Sequence, residues 1–417
     1  MPQALIDLLT RNFELDHNDV YRIDGPLDIT RVRGLLNIER PQLKDKPFIA
    51  SSPQAFVKSS GPEIFAAIRE CDLLLYHPFE SFQPFIDFLR VAAEDPDVLA
   101  IKMTLYRVGR NSPIVEALLD AIQNGKQVAV LVELKARFDE ESNIEWAQKL
   151  EREGVHVVYG LPGIKVHAKM AMVVRREGET IRRYLHLGTG NYNPVTARVY
   201  TDLGLFTSNE EIGADVSDLF NFLTGYSAKT SYRKLLVAPH SLRSGLERLI
   251  RAEMDRHRQH GDGYLIFKMN ALEDAGMIRL LYEASQAGVK IDLIVRGVCS
   301  LRPGLPGVSE TIRVRSIIGR FLEHSRIYYF QNGGDERIYI GSADLMPRNL
   351  NRRVEILFPI EDPKLVRRLR DKILAKYLED ETCARIMQPD GTYTREPRQP
   401  GKKLACAQTW FLKRHLA

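Results

Sequence analysis

The sequence predicts an α/β protein of two tandem lobes, each a mixed sheet flanked by helices, with the active site between them. Three observations predict it. Apolar strand runs alternate with amphipathic helices from about Pro53 onward. Some strands, such as Val128 to Leu134, are almost continuously apolar, as in a sheet covered on both faces. The order of segments in the first half also recurs in the second.

Taken in order, Leu5 to Asn12 reads as one or two helical turns, and the stretch around Tyr21-Arg22-Ile23 as a strand or two with loops. These first residues lack a core of their own. A helix opens at Gly61-Pro-Glu, and Asp72 to Tyr76 is a short apolar strand. Helices follow at Phe82–Ala93, Ile114–Asn124 and Asn143–Glu153, the second stopped by Gly125. Strands lie at Val98–Tyr106, Val128–Leu134 and Val155–Tyr159.

The repeat is visible by residue. The helix and strand from Ile114 to Glu133 match those from Ile278 to Arg296, with Gly125 answering Gly288. Lys102-Met-Thr answers Lys268-Met-Asn, Val166-His167-Ala-Lys169 answers Glu323-His324-Ser-Arg326, and Gly188-Thr-Gly-Asn191 answers Gly341-Ser-Ala-Asp344. The expected division is a remnant of a preceding domain at 1–53, lobes at 54–233 and 234–390, and a loosely ordered basic tail at 391–417.

Composition narrows the function classes. The 417 residues carry a net charge of only +5, so no chain-wide nucleic-acid or membrane coat is expected and any basic site is local. Cys71, Cys299, Cys383 and Cys406 lie far apart without a C-x-x-C, and read as reduced thiols of a cytosolic protein. No secretory signal and no apolar run of membrane-spanning length is apparent. The common nucleotide-binding loops and the H-E-x-x-H zinc motif are missing.

Attention therefore falls on His167 and His324. On a strand, residues i and i+2 share a face, which pairs His167 with Lys169 and His324 with Arg326. Packed face to face, two such lobes bring both histidines to one cleft. One imidazole can attack phosphorus, the other stands on the leaving side, and the cations stabilise oxygens that gain charge. The pattern resembles the phospholipase D superfamily, whose signature is H-x-K with a downstream G-x-x-N. Val174 stands where that family usually has Asp, and Arg326 where it has Lys.

A narrower resemblance is closer. Gly163-Ile-Lys-Val-His167-Ala-Lys-Met, Gly188-Thr-Gly-Asn-Tyr-Asn193, Ala197-Arg-Val-Tyr200-Thr-Asp202, Tyr106-Arg107-Val, Glu133-Leu-Lys-Ala-Arg137-Phe-Asp, Val295-Arg296-Gly-Val and Leu322-Glu-His324 are similar to polyphosphate kinase of the long, phospholipase-D-like class. The match runs in order from about Phe56 to Asp380. It implies that ATP phosphorylates His167, which passes the phosphoryl group reversibly to inorganic polyphosphate, with His324 helping proton transfer. It further implies nucleotide binding at Tyr200, Arg296 and His324, and phosphate binding at Lys169, Arg107, Arg137 and Arg326. Arg107 and Arg137 also fall on the family's magnesium–phosphate site. A guanidinium has only donors, so these arginines would grip phosphate oxygens that Mg²⁺ bridges, with Glu133 or Asp139 available to hold its waters.

Such proteins normally carry two further domains before the lobes, so the sequence reads as lacking them. A homo-oligomer without a membrane anchor or nucleic-acid partner is expected, cytoplasmic and at most peripheral at the inner membrane. His77 and His156 read as structural, and His186 as structural or as a support of the site. Arg348, Arg352 and Arg353 read as an anion path or as solvated charge, and Arg367 to Arg370 as an exposed helix face. The rival functions are a phospholipase-D-like phosphodiesterase and an inactive polyphosphate-binding fragment.

Overall fold

The computed structural model describes residues 1–16, 19–25, 27–57, 61, 63–106, 112–133, 140–160, 163–395 and 405–415. They fall into two compact units, 1–49 and 50–417. The first holds a helix at Gln3–Asn12, none of whose residues is buried, and 3₁₀ turns at Ile29–Asn37 and Pro41–Leu43. The strand expected near Tyr21–Ile23 does not form: no strand occurs among this unit's described residues. Three such residues before Asp24-Gly25, with no partner to satisfy their backbone, cannot stand as a strand.

The second unit contains both sheets. The first is built from β1 (Leu73–His77), β2 (Val98–Leu105), β3 (Gln127–Val132), β4 (His156–Val158), β6 (Lys169–Glu177), β7 (Thr180–Gly188) and β8 (Tyr200–Thr207), with β5 (Lys165–Val166) set apart. Its order is β1-β8-β7-β6-β2-β3-β4. The β2–β3 and β3–β4 pairs are parallel and the others antiparallel. The second lobe holds β9 (Leu236–Ala238), β10 (Tyr264–Met269), β11 (Lys290–Val295), β12 (Ile312–Ile317), β13 (Leu322–Glu323), β14 (Arg326–Phe330), β15 (Arg337–Gly341) and β16 (Arg353–Ile360). The order β9-β16-β15-β14-β10-β11-β12 reproduces the first sheet strand for strand, and β17 (Ala384–Met387) and β18 (Tyr393–Thr394) extend it beyond β12.

Helix spacing explains how each sheet is covered. In the helix Pro113–Gln123, Pro113 opens the first turn, and Ile114, Val115, Leu118 and Ala121 form the buried face. Gly125, at φ 76°, turns the chain into β3. These residues pack with Ile101, Met103 and Leu105, alternate positions of β2. In the second lobe the Asp274 carboxylate caps the helix Ala275–Gln286 by accepting from Met277 N at 3.0 Å. Met277, Ile278, Leu281 and Ala284 then join the core of Phe267, Leu293 and Tyr328. Each fully buried large side chain contributes about 1.5–3 kcal/mol.

The lobes exchange short strands. β5, from the first lobe, pairs in parallel with β16, and β13, from the second, pairs in parallel with β8. Arg368 ties them again, donating to Leu74 O at 2.8 Å and to Glu80 at 2.7 Å, so the 367–370 stretch is not simply an exposed helix face. Nor is the segment after 391 simply a loose tail. It carries β18 and a helix at Ala407–His415, whose Phe411 is buried against Tyr76, Phe79 and Tyr377.

Candidate active site

The exchanged strands end at the two histidines. The backbone N–H groups of His167 and Ala168 both donate to Val354 O, at 2.9 and 3.1 Å, which holds His167 against the opposite lobe. Its Nδ1 lies 2.8 Å from Glu355 Oε2. With Glu355 ionised, its oxygen only accepts, so Nδ1 then carries the proton and Nε2 keeps a free lone pair. Asn349 Nδ2 donates to the other Glu355 oxygen at 2.5 Å. Burial drives the His167 pKa well below the ordinary value, helped by the charges of Lys169, Arg326 and Arg353, so the ring is neutral at pH 7. Burial also raises Glu355 to about 7, against the pull of Lys169.

His324 repeats this geometry. Its N–H donates to Thr201 Oγ1 at 3.2 Å, and its Nδ1 lies 2.8 Å from Asp202 Oδ1. Thr189 Oγ1 donates to the same oxygen at 2.6 Å. Burial pushes His324 down to about 4, although Asp202 pulls it upward. Asp202 stays below the usual carboxylate range: burial would raise it, but His324, Thr189 and Arg326 outweigh that. The β5–β16 and β13–β8 registers put Glu355 and Asp202 at equivalent positions, so each histidine takes its carboxylate from the other lobe.

The two cations differ. Lys169, 1% exposed, donates to His167 O and has its ammonium 5.1 Å from the centre of the Tyr106 ring. Arg326 is bound two-pronged to Asp344, with both contacts at 3.2 Å, and its Nη1 donates to His324 O at 2.7 Å and Thr189 O at 3.3 Å. Most of its hydrogen-bonding capacity is committed, so it offers the site charge more than donors. In the sequence repeat Arg326 and Asp344 answer Lys169 and Asn191, and in the second lobe the two form an ion pair.

The half-buried Tyr200 and Arg296 both lie beside His324. The Tyr200 ring is 5.2 Å from its imidazole, and Arg296 Nη1 donates to Glu323 O at 2.9 Å. Glu323 is buried between Lys268 Nζ at 2.9 Å, Thr201 Oγ1 at 2.8 Å and Gln408 Nε2 at 2.6 Å, and so anchors the strand leading to His324. Glu133 does the same for β5, accepting from Val166 N at 2.9 Å. Arg107, Arg137 and Asp139 lie outside the described residues. Glu355, Asp202, Asp344 and Glu323 each already serve a histidine, a cation or an amide. These four carboxylates therefore do not offer the free oxygens that a protein-held magnesium cage requires.

Among the other expected residues, His77 is buried with Nδ1 2.9 Å from Glu80 O, and His156 is exposed on β4. His186 sits in the first lobe's aromatic core, 4.5 Å from Phe85 and 4.6 Å from Phe206 between ring centres, as a structural residue. Arg348 and Arg352 are exposed, whereas Arg353 reaches Glu355 at 3.9 Å. Glu355 and Asp202 escape a reading of the sequence as site residues because their partners belong to the other repeat. Aligning the strand after each G-x-x-N or G-x-x-D turn would have flagged both.

Residues 63–229 match polyphosphate kinase C-terminal domain 1, and residues 235–408 match polyphosphate kinase C-terminal domain 2. A polyphosphate kinase of Prosthecochloris aestuarii is 54% identical over 395 residues, covering 95% of this chain and 55% of the relative. The crystal structure of polyphosphate kinase from Porphyromonas gingivalis superimposes with a TM-score of 0.84 at 35% identity, over 99% of this chain and 63% of that one. A phosphatidylserine synthase of Haemophilus influenzae, 10% identical with a TM-score of 0.51 over 76% of this chain and 88% of its own, shares the fold alone. The two tandem lobes, each a mixed sheet flanked by helices, agree with the two consecutive domain matches. The chain spans about half the length of the curated relatives it matches. Two consecutive domain matches and an identity above one half along nearly its whole length make this chain a member of the polyphosphate kinase family.

Proposed function

We propose that this chain carries the phosphotransfer centre of a polyphosphate kinase, moving the γ-phosphoryl group of ATP reversibly to inorganic polyphosphate through a phosphohistidine on His167. The observation that carries the reading is the His167–Glu355 contact at 2.8 Å, which leaves Nε2 as a neutral, oriented nucleophile. Nε2 attacks the γ-phosphorus in line, the bond to the β–γ bridging oxygen breaks, and ADP leaves. A terminal oxygen of polyphosphate then attacks the same phosphorus and the N–P bond breaks, returning neutral His167.

With lobes at 54–233 and 234–390, each lobe brings one histidine, and His324 serves the departing or entering oxygen as a proton partner. Lys169 and Arg326 supply the positive field that dominates phosphoryl transfer. Tyr200, Arg296 and His324 line the nucleotide side, and Arg107 and Arg137 grip phosphate. Magnesium belongs to the substrate in this reading, arriving on the phosphates of ATP. A homo-oligomer in the cytoplasm, peripheral to a membrane at most, goes with it; among the described residues no helix is long and apolar enough to cross one.

The test is incubation with γ-labelled ATP and magnesium, followed by a search for acid-labile, base-stable phosphate in the parent chain and His167→Ala. Label on the parent alone supports the reading, and equal label on both removes His167 as nucleophile. A phosphodiesterase would instead cleave a diester without ATP, and a binding fragment would hold polyphosphate in a salt-dependent way without taking label.

A further inference from the structure

Away from the histidines, two cysteines distant in sequence lie side by side. Cys383 Sγ is 3.2 Å from Cys406 Sγ, and both residues are partly exposed. Their neighbourhood is built rather than incidental. The fully buried Asp380 gathers both segments, accepting from Thr382 N, Cys383 N and Ala384 N at 3.0, 2.7 and 3.2 Å on one oxygen and from Ala407 N at 2.7 Å on the other. Glu381 N and Thr382 N both donate to Ala405 O, at 3.1 and 3.2 Å.

Asp380, Cys383 and Cys406 form the one group of potential metal ligands among the described residues. Four backbone amides already occupy the carboxylate, leaving two thiols where a closed zinc site needs four ligands. Disulfide chemistry suits the pair better. The sulfurs need approach by little more than 1 Å to reach the ~2.0 Å bond length. Cys406 stands at the start of the helix Ala407–His415, and Thr409 Oγ1 donates to its sulfur at 3.3 Å, so its thiolate is favoured over that of Cys383.

That helix is what the pair would secure. Gln408 accepts from Phe321 N at 2.9 Å and donates to Phe321 O at 2.9 Å and Glu323 at 2.6 Å, gripping the strand that ends at His324. Phe411 packs on β1 of the first lobe through Tyr76.

We propose that Cys383 and Cys406 form a reversible disulfide that locks the C-terminal helix onto the strand holding His324. With a low-molecular-weight disulfide as oxidant, the Cys406 thiolate attacks one of its sulfurs and expels one thiolate. Cys383, deprotonated, then attacks Cys406 Sγ of the mixed disulfide and expels the second. Two protein thiols are oxidised, and one small disulfide is reduced to two small thiols.

The test uses the full chain, reduced, desalted and treated with glutathione disulfide. Expected are two fewer alkylatable thiols after denaturation, an intact mass lower by two hydrogens at that pair, and a peptide linking Cys383 to Cys406. Cys383→Ser should trap glutathione on Cys406, and Cys406→Ser should abolish the link. Amide exchange at Phe321 and along the helix should slow about tenfold or more on oxidation. Four thiols still free, a link between other cysteines, or zinc retained in equal amount after desalting would overturn the site. A link that leaves exchange at Phe321 unchanged would overturn the lock.

Discussion

Replacing Glu355 with Gln removes a charge but almost no volume, and the structure dictates what happens next. The amide introduced by Glu355→Gln has two orientations. With its oxygen toward Asn349, its NH₂ faces His167 Nδ1, which must become an acceptor, so the proton moves to Nε2 and the lone pair is lost. With its oxygen toward His167, its NH₂ meets the NH₂ of Asn349 and a buried donor goes unpaired. The second orientation costs about 1–3 kcal/mol, or roughly 5- to 150-fold in rate. The first inverts the tautomer, which in the serine-protease triad costs about 10⁴-fold. Single-turnover labelling from γ-labelled ATP should thus slow by at least roughly fivefold in Glu355→Gln, with the fold intact by circular dichroism. A rate within about twofold of the parent would refute the claim that Glu355 sets the protonation of His167.

Three further outcomes are expected. His324 has a folded pKa of about 4 against ~6.5 when unfolded, so its contribution to stability is complete above about pH 6.5 and is lost as pH falls toward 4. Between pH 7 and pH 5, His324→Gln should therefore gain about 2 kcal/mol relative to the parent in urea unfolding; an unchanged difference would contradict the shift. Phe411→Ala should cost about 3–5 kcal/mol in the same assay, because it empties a cluster shared by both lobes. Arg326→Lys cannot keep the two-pronged contact to Asp344 and should lose about 1–3 kcal/mol of stability, measurable as a lower Tm.

The sheets were legible because their strands are long enough to show apolar runs and because the pattern recurs: Ile114–Glu133 and Ile278–Arg296 announce one another, and both form the helix and strand expected. β5 and β13 are two residues each, too short to carry any periodicity, so nothing local says that they leave their own lobe. The histidines could be found from H-x-K and H-x-R, whereas Glu355 and Asp202 show only when the strands after the two glycine turns are aligned, since their partners lie far away in sequence. Tyr21–Ile23 has strand-like residues without a strand to pair with. The residues around Ala407–His415 look basic and irregular, yet Gln408 and Phe411 find a polar and an aromatic socket, and tertiary packing overrides the weak local signal.

The exchange of β5 and β13 means that neither half is chemically self-sufficient. A first lobe made alone would present His167 without an acid to orient it, and Asp202 without a ring to hold. The first two residues of β8, Tyr200 and Thr201, would lose the strand that pairs with them, while the rest of β8 would stay held between β1 and β7. The same two-residue strands would serve as address labels if the halves were made separately: each pairs with the first residues of its counterpart strand, and joining them would bring the histidine–carboxylate couples back together. The two repeats thus depend on each other, and loss of one short strand would leave the histidine beside it without its seat against the opposite carboxylate.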